Sequence, residues 1–241
     1  TITDDDDAPT VSIADNSTSN EAAGPTNLTV TLSAASEKTI TIDYDTSDGT
    51  AEAGSDYTAG SGTLTFAPSE TTKNIAIAVL ADITDEEDET VTVTLSNPSE
   101  VTPIDALGVL TITDDDDPPT LSVDNVTTPD ESAVARSFTV TLSEASAKTV
   151  TVNYATADGT ANAANDYIST SGPLTFNPGI TSLTVDVTIV QDAIDEAHET
   201  FTLALSGEAN ATIASATGTM TITDDETTPT LSIQDASTSD E

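Results

Sequence analysis

Carboxylates recur in this chain on a fixed step. The phrase Thr-Ile-Thr-Asp-Asp-Asp-Asp stands at Thr1–Asp7 and Thr111–Asp117, and Thr-Ile-Thr-Asp-Asp-Glu at Thr221–Glu226, 110 residues apart each time. Glu21 and Glu131, Asp48 and Asp158, and Glu89 and Glu199 keep the same step. Oxygen donors in such number, with no cysteine and a single histidine, suit the binding of a hard cation. Many flexible carboxylates favour Ca2+ over Mg2+, which demands a stricter octahedron. Catalysis fits less well. Paired carboxylates can hydrolyse glycosides, but that needs a raised-pKa acid in an apolar pocket and aromatic platforms, and the chain has no Trp. Neither a Ser-His-Asp set nor a phosphate-binding glycine loop is present, so no enzymatic activity is expected.

Composition narrows the partners. Four Lys and Arg against 43 Asp and Glu give a formal charge of −39, which excludes nucleic acid and anionic membrane surfaces. Such charge often accompanies disorder, yet 36% of the residues are hydrophobic and they alternate with polar ones. Disulfides cannot stabilise the fold, and no apolar run is long enough to insert in a membrane. No signal peptide is visible. The repeat frames the chain as a slice of a longer array. Residues 1–7 are expected to close a preceding repeat, 8–117 and 118–227 to be complete ones, and 228–241 to open another.

The elements that must position the acids are strands. Alternation in the first repeat marks strand A near Thr10–Ile13, B at Leu28–Leu32, C at Thr39–Tyr44, D at Thr63–Phe66, E at Lys73–Leu80, F at Thr90–Leu95 and G at Val109–Ile112. The second repeat copies them, with Phe138, Val140 and Leu142 on B and Phe201, Leu203 and Leu205 on F. Seven short strands rich in Thr, Val and Ile predict an all-β fold of tandem seven-stranded antiparallel β-sandwiches, immunoglobulin-like in architecture. Alternate strands point the same way, so the ends of A, C, E and G share one pole. Glu21, Asp48, the Asp82–Glu89 stretch and Asp114–Asp117 all follow those strands. Two carboxylates about 5 Å apart repel by roughly 3 kcal/mol at an effective dielectric near 20. Half a dozen would overwhelm a small aliphatic core unless they splay into water or a cation neutralises them. Calcium is then the staple that cysteine does not supply.

The chain resembles the Calx-beta domain, the calcium-binding module of sodium–calcium exchangers that also occurs in large extracellular adhesion proteins and bacterial surface repeats. The resemblance rests on Thr-Ser-Asp-Gly-Thr-Ala (46–51), Ser-Asp-Tyr (55–57), Gly-Thr-Leu-Thr-Phe-Ala-Pro (62–68), the stretch from Asp85 to Pro98, and Leu-Thr-Ile-Thr-Asp-Asp-Asp (110–116). Thr-Ala-Asp-Gly-Thr-Ala (156–161), Leu-Thr-Phe-Asn-Pro-Gly (174–179), Asp-Glu-Ala-His-Glu-Thr-Phe (195–201) and Met-Thr-Ile-Thr-Asp-Asp (220–225) repeat it. It implies calcium ligands at Glu21, Asp48, Asp82, Glu86, Glu89, Asp114, Asp115 and Asp116, with the Thr84 carbonyl. In the second repeat it implies Glu131, Asp158, Asp192, Glu196, Glu199, Asp224, Asp225 and Glu226, with the Ile194 carbonyl. The family often pairs two Asp after strand E. Here Ala81-Asp82 and Gln191-Asp192 keep one, which implies fewer ions or weaker binding. Arg136 near the same pole makes the second repeat the weaker binder.

Other polar residues read as structural. Asp56 and Asp166, each before a Tyr, suit turn caps, since Asp bonds the backbone that follows it. His198 reads as an exposed spacer between Glu196 and Glu199. Sequons at Asn16, Asn27, Asn125 and Asn210 are expected by chance in so Thr-rich a chain. The resulting expectation is a calcium-rigidified, monomeric spacer rod whose partners are adjacent repeats. It would belong to a bacterial surface adhesin, extracellular or at the cell surface. The alternative is a calcium sensor regulating an attached transporter or enzyme.

Overall fold

Thr, Val and Ile alternation does build strands, and the strands pair into two sandwiches. The computed structural model describes residues 7–18, 20–132 and 134–234. The chain divides into two compact units, residues 1–117 and 118–241. The acids expected to close a preceding repeat (Asp4–Asp6) and open a following one (Glu241) lie outside the described residues.

In the first unit one sheet runs in the order β6 (Thr72–Ile77), β3 (Thr26–Leu32), β1 (Thr10–Ile13), β8 (Thr102–Asp105). The other runs β2 (Asn16–Ser17), β9 (Leu107–Ile112), β7 (Glu89–Ser96), β4 (Ile40–Asp48), β5 (Ser61–Phe66). Inward residues of both sheets, among them Leu28, Val30, Ile75, Ile42, Val91 and Leu110, are no more than 1% exposed. The second unit repeats the plan with sheets β15–β12–β10–β17 and β11–β18–β16–β13–β14. Its strands are β10 (Thr120–Val123), β11 (Val126–Thr127), β12 (Ala135–Leu142), β13 (Val150–Asp158), β14 (Ser171–Phe176), β15 (Ser182–Thr188), β16 (Glu199–Ala209), β17 (Thr212–Ser215) and β18 (Thr217–Ile222). Among the described residues no helix is long and apolar enough to cross a membrane.

Several details depart from the sequence reading. Strand A is split, β1 in one sheet and β2 in the other, and β8 is an added strand, so each unit has nine strands among its described residues where seven were expected. The additions pair in parallel, β1 with β8 and β2 with β9, so the sheets are not wholly antiparallel. Neither addition leaves a pattern to read: β2 has two residues, and all four of β8 are exposed. Strand C runs past Tyr44 to Asp48 because β4 changes partner, from β5 over Ile40–Asp45 to β7 over Asp43–Asp48. Strand E stops at Ile77, and Val79 instead bridges Tyr57.

The two cores fill the same space differently. Leu28 and Val91 of the first unit are Phe138 and Phe201 in the second, balanced by Val185 and Val187 where the first has Ile75 and Ile77. Phe201 stacks on Tyr167 with ring centroids 4.0 Å apart and meets Phe138 edge-on at 6.0 Å. Phe201→Val removes both contacts and should cost the second unit about 2–4 kcal/mol. A calorimetric scan of the whole chain should show the second unit's transition moved down and the first unit's unchanged. Equal movement of both would contradict the separate cores.

Candidate metal centre

Four loops deliver carboxylates to one end of each sandwich. In the first unit a single turn of 3-10 helix at Glu21–Ala23 turns Glu21 inward to 8% exposure. Oxygens of Glu21, Asp82 and Asp116 lie within 4.8 Å of one another, as do oxygens of Asp56, Glu86 and Glu89. In the second unit Glu131, Asp224 and Glu226 form one such group and Asp166, Glu196 and Glu199 the other. Twice a Ca–O distance of about 2.4 Å is about 4.8 Å, so each group fits around one ion of calcium's size. All the donors are oxygen, and Glu226 Oε2 is a buried acceptor with no hydrogen-bond partner. The residues present fit a hard cation.

Other acids lace the loops together. Asp114 Oδ1 accepts the Glu86 amide and Asp115 Oδ1 accepts the Glu21 amide, both at 3.2 Å. Asp224 and Asp225 do the same for Glu196 (3.0 Å) and Glu131 (3.4 Å). The amide of Asp114 in turn donates to Asp88 Oδ1 at 3.2 Å, and that of Asp224 to His198 Nδ1 at 3.1 Å. His198 therefore serves as a backbone acceptor rather than a mere spacer. Thr84 and Ile194, expected to offer carbonyls, donate their amides to Asp82 and Asp192 at 2.6 and 2.7 Å. Arg136 is held by Asp130 at 3.0 Å, so its charge is offset locally.

Asp48 and Asp158 lie outside all four groups. Each accepts a buried tyrosine hydroxyl, Tyr57 at 2.8 Å and Tyr167 at 2.6 Å. Burial, then the bond to Asp158, pushes the Tyr167 hydroxyl up to about 12. Asp192 is likewise outside the Glu131 group, although it lines the cleft beside Asp166, Ile194, Glu196 and Glu199. Asp56 and Asp166 are the gathered acids that sequence reasoning gave to turns alone. Their Oδ2 atoms do cap a turn, accepting the Glu52 and Asn162 amides at 2.6 Å. The same carboxylates also meet the glutamates of the next loop. A signal for this was present, since the acid before Tyr survives the repeat while its neighbour changes from Ser55 to Asn165.

Burial, and after it crowding, shows in the acidities. Burial, opposed by an amide bond from Asp82 and aided by the charges of Asp82, Glu86 and Asp114, lifts Glu21 from 4.5 to about 7. Burial and the neighbouring Glu226 and Asp224 lift Glu131 to about 7. Glu89 and Glu199 also reach about 7, through burial and then a hydrogen bond shared with Asp56 or Asp166. Glu86 and Glu196 are raised as well, first by desolvation and then by Asp82 or Asp192. These groups hold protons more tightly folded than unfolded. The stabilisation is complete below the ordinary value of 4.5 and is lost as pH rises through about 7. With chelator present, the melting temperature should fall between pH 5 and 8. Saturating calcium should remove that fall, because it favours the deprotonated form. A rise with pH in the chelated chain would contradict the crowding.

Comparison with known proteins gives the arrangement a family. The Calx-beta domain profile matches twice, over residues 4–113 and 114–226. The sodium/calcium exchanger 1 of Bos taurus is 33% identical over 186 residues, 68% of this chain and 19% of its own length. The sodium/calcium exchanger 2 of Homo sapiens is 33% identical over 186 residues, 69% of this chain and 20% of its own. This chain thus spans about a fifth of the length of the curated relatives it matches. Among solved structures, CBD12 from CALX1.2 covers 88% of this chain and 99% of itself, at 21% identity and a TM-score of 0.44. The apo-form Calx CBD1 domain covers 46% of this chain and 100% of itself, at 29% identity and a TM-score of 0.43. These relatives correct the setting read from sequence. They are sodium/calcium exchangers, not surface adhesins, so the extracellular or cell-surface placement is overturned. The bacterial surface-protein context, the adhesive spacer and the membrane-free rod find no support in them. With two matches that together take in residues 4–226, the chain belongs to the Calx-beta domain family.

Proposed function

We propose that the chain is a tandem calcium sensor that regulates an attached transport protein of the exchanger class. The observation that carries this is the gathering of carboxylate trios, two in each unit among the described residues, from loops distant in sequence. Glu21, Asp82 and Asp116 would hold one ion and Asp56, Glu86 and Glu89 another, with Glu131, Asp224, Glu226 and Asp166, Glu196, Glu199 as their counterparts. Bound calcium would supply positive charge that offsets the mutual repulsion. The chain's own part is to convert that neutralisation into order. The stretch from Asp82 to Glu89 is tied to the segment after β9 by the Glu86 amide on Asp114, so drawing its acids together fixes that segment. Asp116 stands two positions before Pro118, where the second unit begins, so order at the site reaches the connecting backbone.

The first unit is the tighter binder in this reading. Its trio includes Asp82, whereas Asp192 is left out of the corresponding group, and Asp88 becomes His198 in the second unit. Calorimetric titration of the whole chain with calcium should give dissociation constants in the sensor range, on the order of 10⁻⁷–10⁻⁵ M. Hydrogen exchange should slow at residues 82–89 and 114–117 on binding. Glu86→Gln should weaken the tighter class. Millimolar affinity without any change in exchange would contradict a sensor and return the reading to a passive spacer.

A further inference from the structure

In each unit one loop carries two aspartates with different tasks. Asp48 ends β4, where its Oδ1 accepts both the Tyr57 hydroxyl at 2.8 Å and the Ala53 amide at 3.0 Å. Asp158 does the same with Tyr167 at 2.6 Å and Ala163 at 2.9 Å. Tyr57 and Tyr167 are each only 1% exposed, so these hydroxyls need an acceptor that comes to them. The tyrosine also fixes the acid that precedes it. Tyr57 bridges Val79, and the Asp56 carbonyl accepts the Leu80 amide at 2.8 Å, which ties Asp56 to the end of strand E. Bonds from Tyr167 to Ile189 and from Val190 to the Asp166 carbonyl, the latter at 2.9 Å, repeat the tie.

The near end of the loop is pinned as well. The Thr90 carbonyl accepts the amides of Gly49 and Ala51 at 3.1 Å each. A Cβ on Gly49 would lie 2.4 Å from that carbonyl oxygen, so only glycine permits the approach. Gly159 meets the Thr200 carbonyl oxygen in the same way, at 2.3 Å. The loop thus has two clamps, Thr90 on its glycine turn and Asp48 on its tyrosine, and Asp56 is what they present.

We propose that Asp48 and Asp158 are positioning residues rather than calcium ligands. Through the buried tyrosine hydroxyl they set the loop that brings Asp56 to Glu86 and Glu89, and Asp166 to Glu196 and Glu199. This rests on the reading of those groups as calcium sites. It divides the preserved acids of the loop into one that meets the ion and one that never does.

Calcium titration of the whole chain, altered in both units together, tests the division. Tyr57→Phe with Tyr167→Phe leaves every carboxylate in place, yet it should weaken one class of site by about tenfold, the usual scale for an outer partner of a ligand. The Glu21 and Glu131 class should keep its affinity. Asp48→Ala with Asp158→Ala should match the tyrosine variant. Asp48→Asn with Asp158→Asn retains an oxygen acceptor and should bind close to wild type. Wild-type affinity in the Phe variant, with the Asn variant as weak as the Ala variant, would make Asp48 a ligand and overturn the proposal. A wild-type chain that takes up no calcium would remove the site reading and this inference with it.

Discussion

Repulsion among carboxylates at one end of each sandwich is the constraint on which the rest turns. The topology creates it, because loops after strands A, C, E and G emerge together. Within the protein the excess charge has two ways out: to hold protons, as the glutamates lifted to about 7 do, or to accept a cation. Both would lower the same electrostatic cost, and a cation bound by the trios would compete with protons for the same oxygens. A small aliphatic core with no disulfide leaves little margin, so the state of these acids weighs on the stability of the whole unit.

The acids are not interchangeable. Asp114, Asp115, Asp224 and Asp225 accept backbone amides from loops distant in sequence, and so bring Glu21, Glu86, Glu131 and Glu196 into place. Asp48 and Asp158 take up buried tyrosine hydroxyls. Of these laced acids only Asp224 also belongs to a trio, so only part of the acidic surface is left to meet an ion. The two units act as an internal comparison: Asp116 becomes Glu226, Asp88 becomes His198 and Thr84 becomes Ile194, yet the amide bonds persist at equivalent positions. What the repeat keeps is the lacing. The chemistry at the ends of the laces varies.

Much of this was legible from residue order. Period-two alternation marked the core strands, since one buried face forces it, and strand direction alone brought Glu21, Asp82, Glu86, Glu89 and the Asp114–Asp116 run to one pole. The parts that stayed hidden have physical reasons. The strands Asn16–Ser17 and Thr102–Asp105 bury no face of their own, so nothing in their sequence alternates. Asp56 was assigned to a turn because one oxygen does cap it, and its second task is marked only by the acid surviving the repeat where Ser55 gives way to Asn165. Asp48 carried the family's acidic phrase, but only three-dimensional placement shows its carboxylate turned to Tyr57. The cell-surface setting failed for a different reason. Repeat number and charge describe a module and carry no mark of where its parent protein resides.

Proton release on calcium binding tests the central claim most directly. Titrations of the whole chain at pH 6.5, in two buffers of different ionisation enthalpy, give the number of protons displaced as calcium enters. If crowded glutamates and calcium share the same oxygens, binding releases protons at pH 6.5, and the release fades by pH 8.5. Calcium uptake with equal heats in both buffers at pH 6.5 would contradict it, since the ion would then sit where no proton was held.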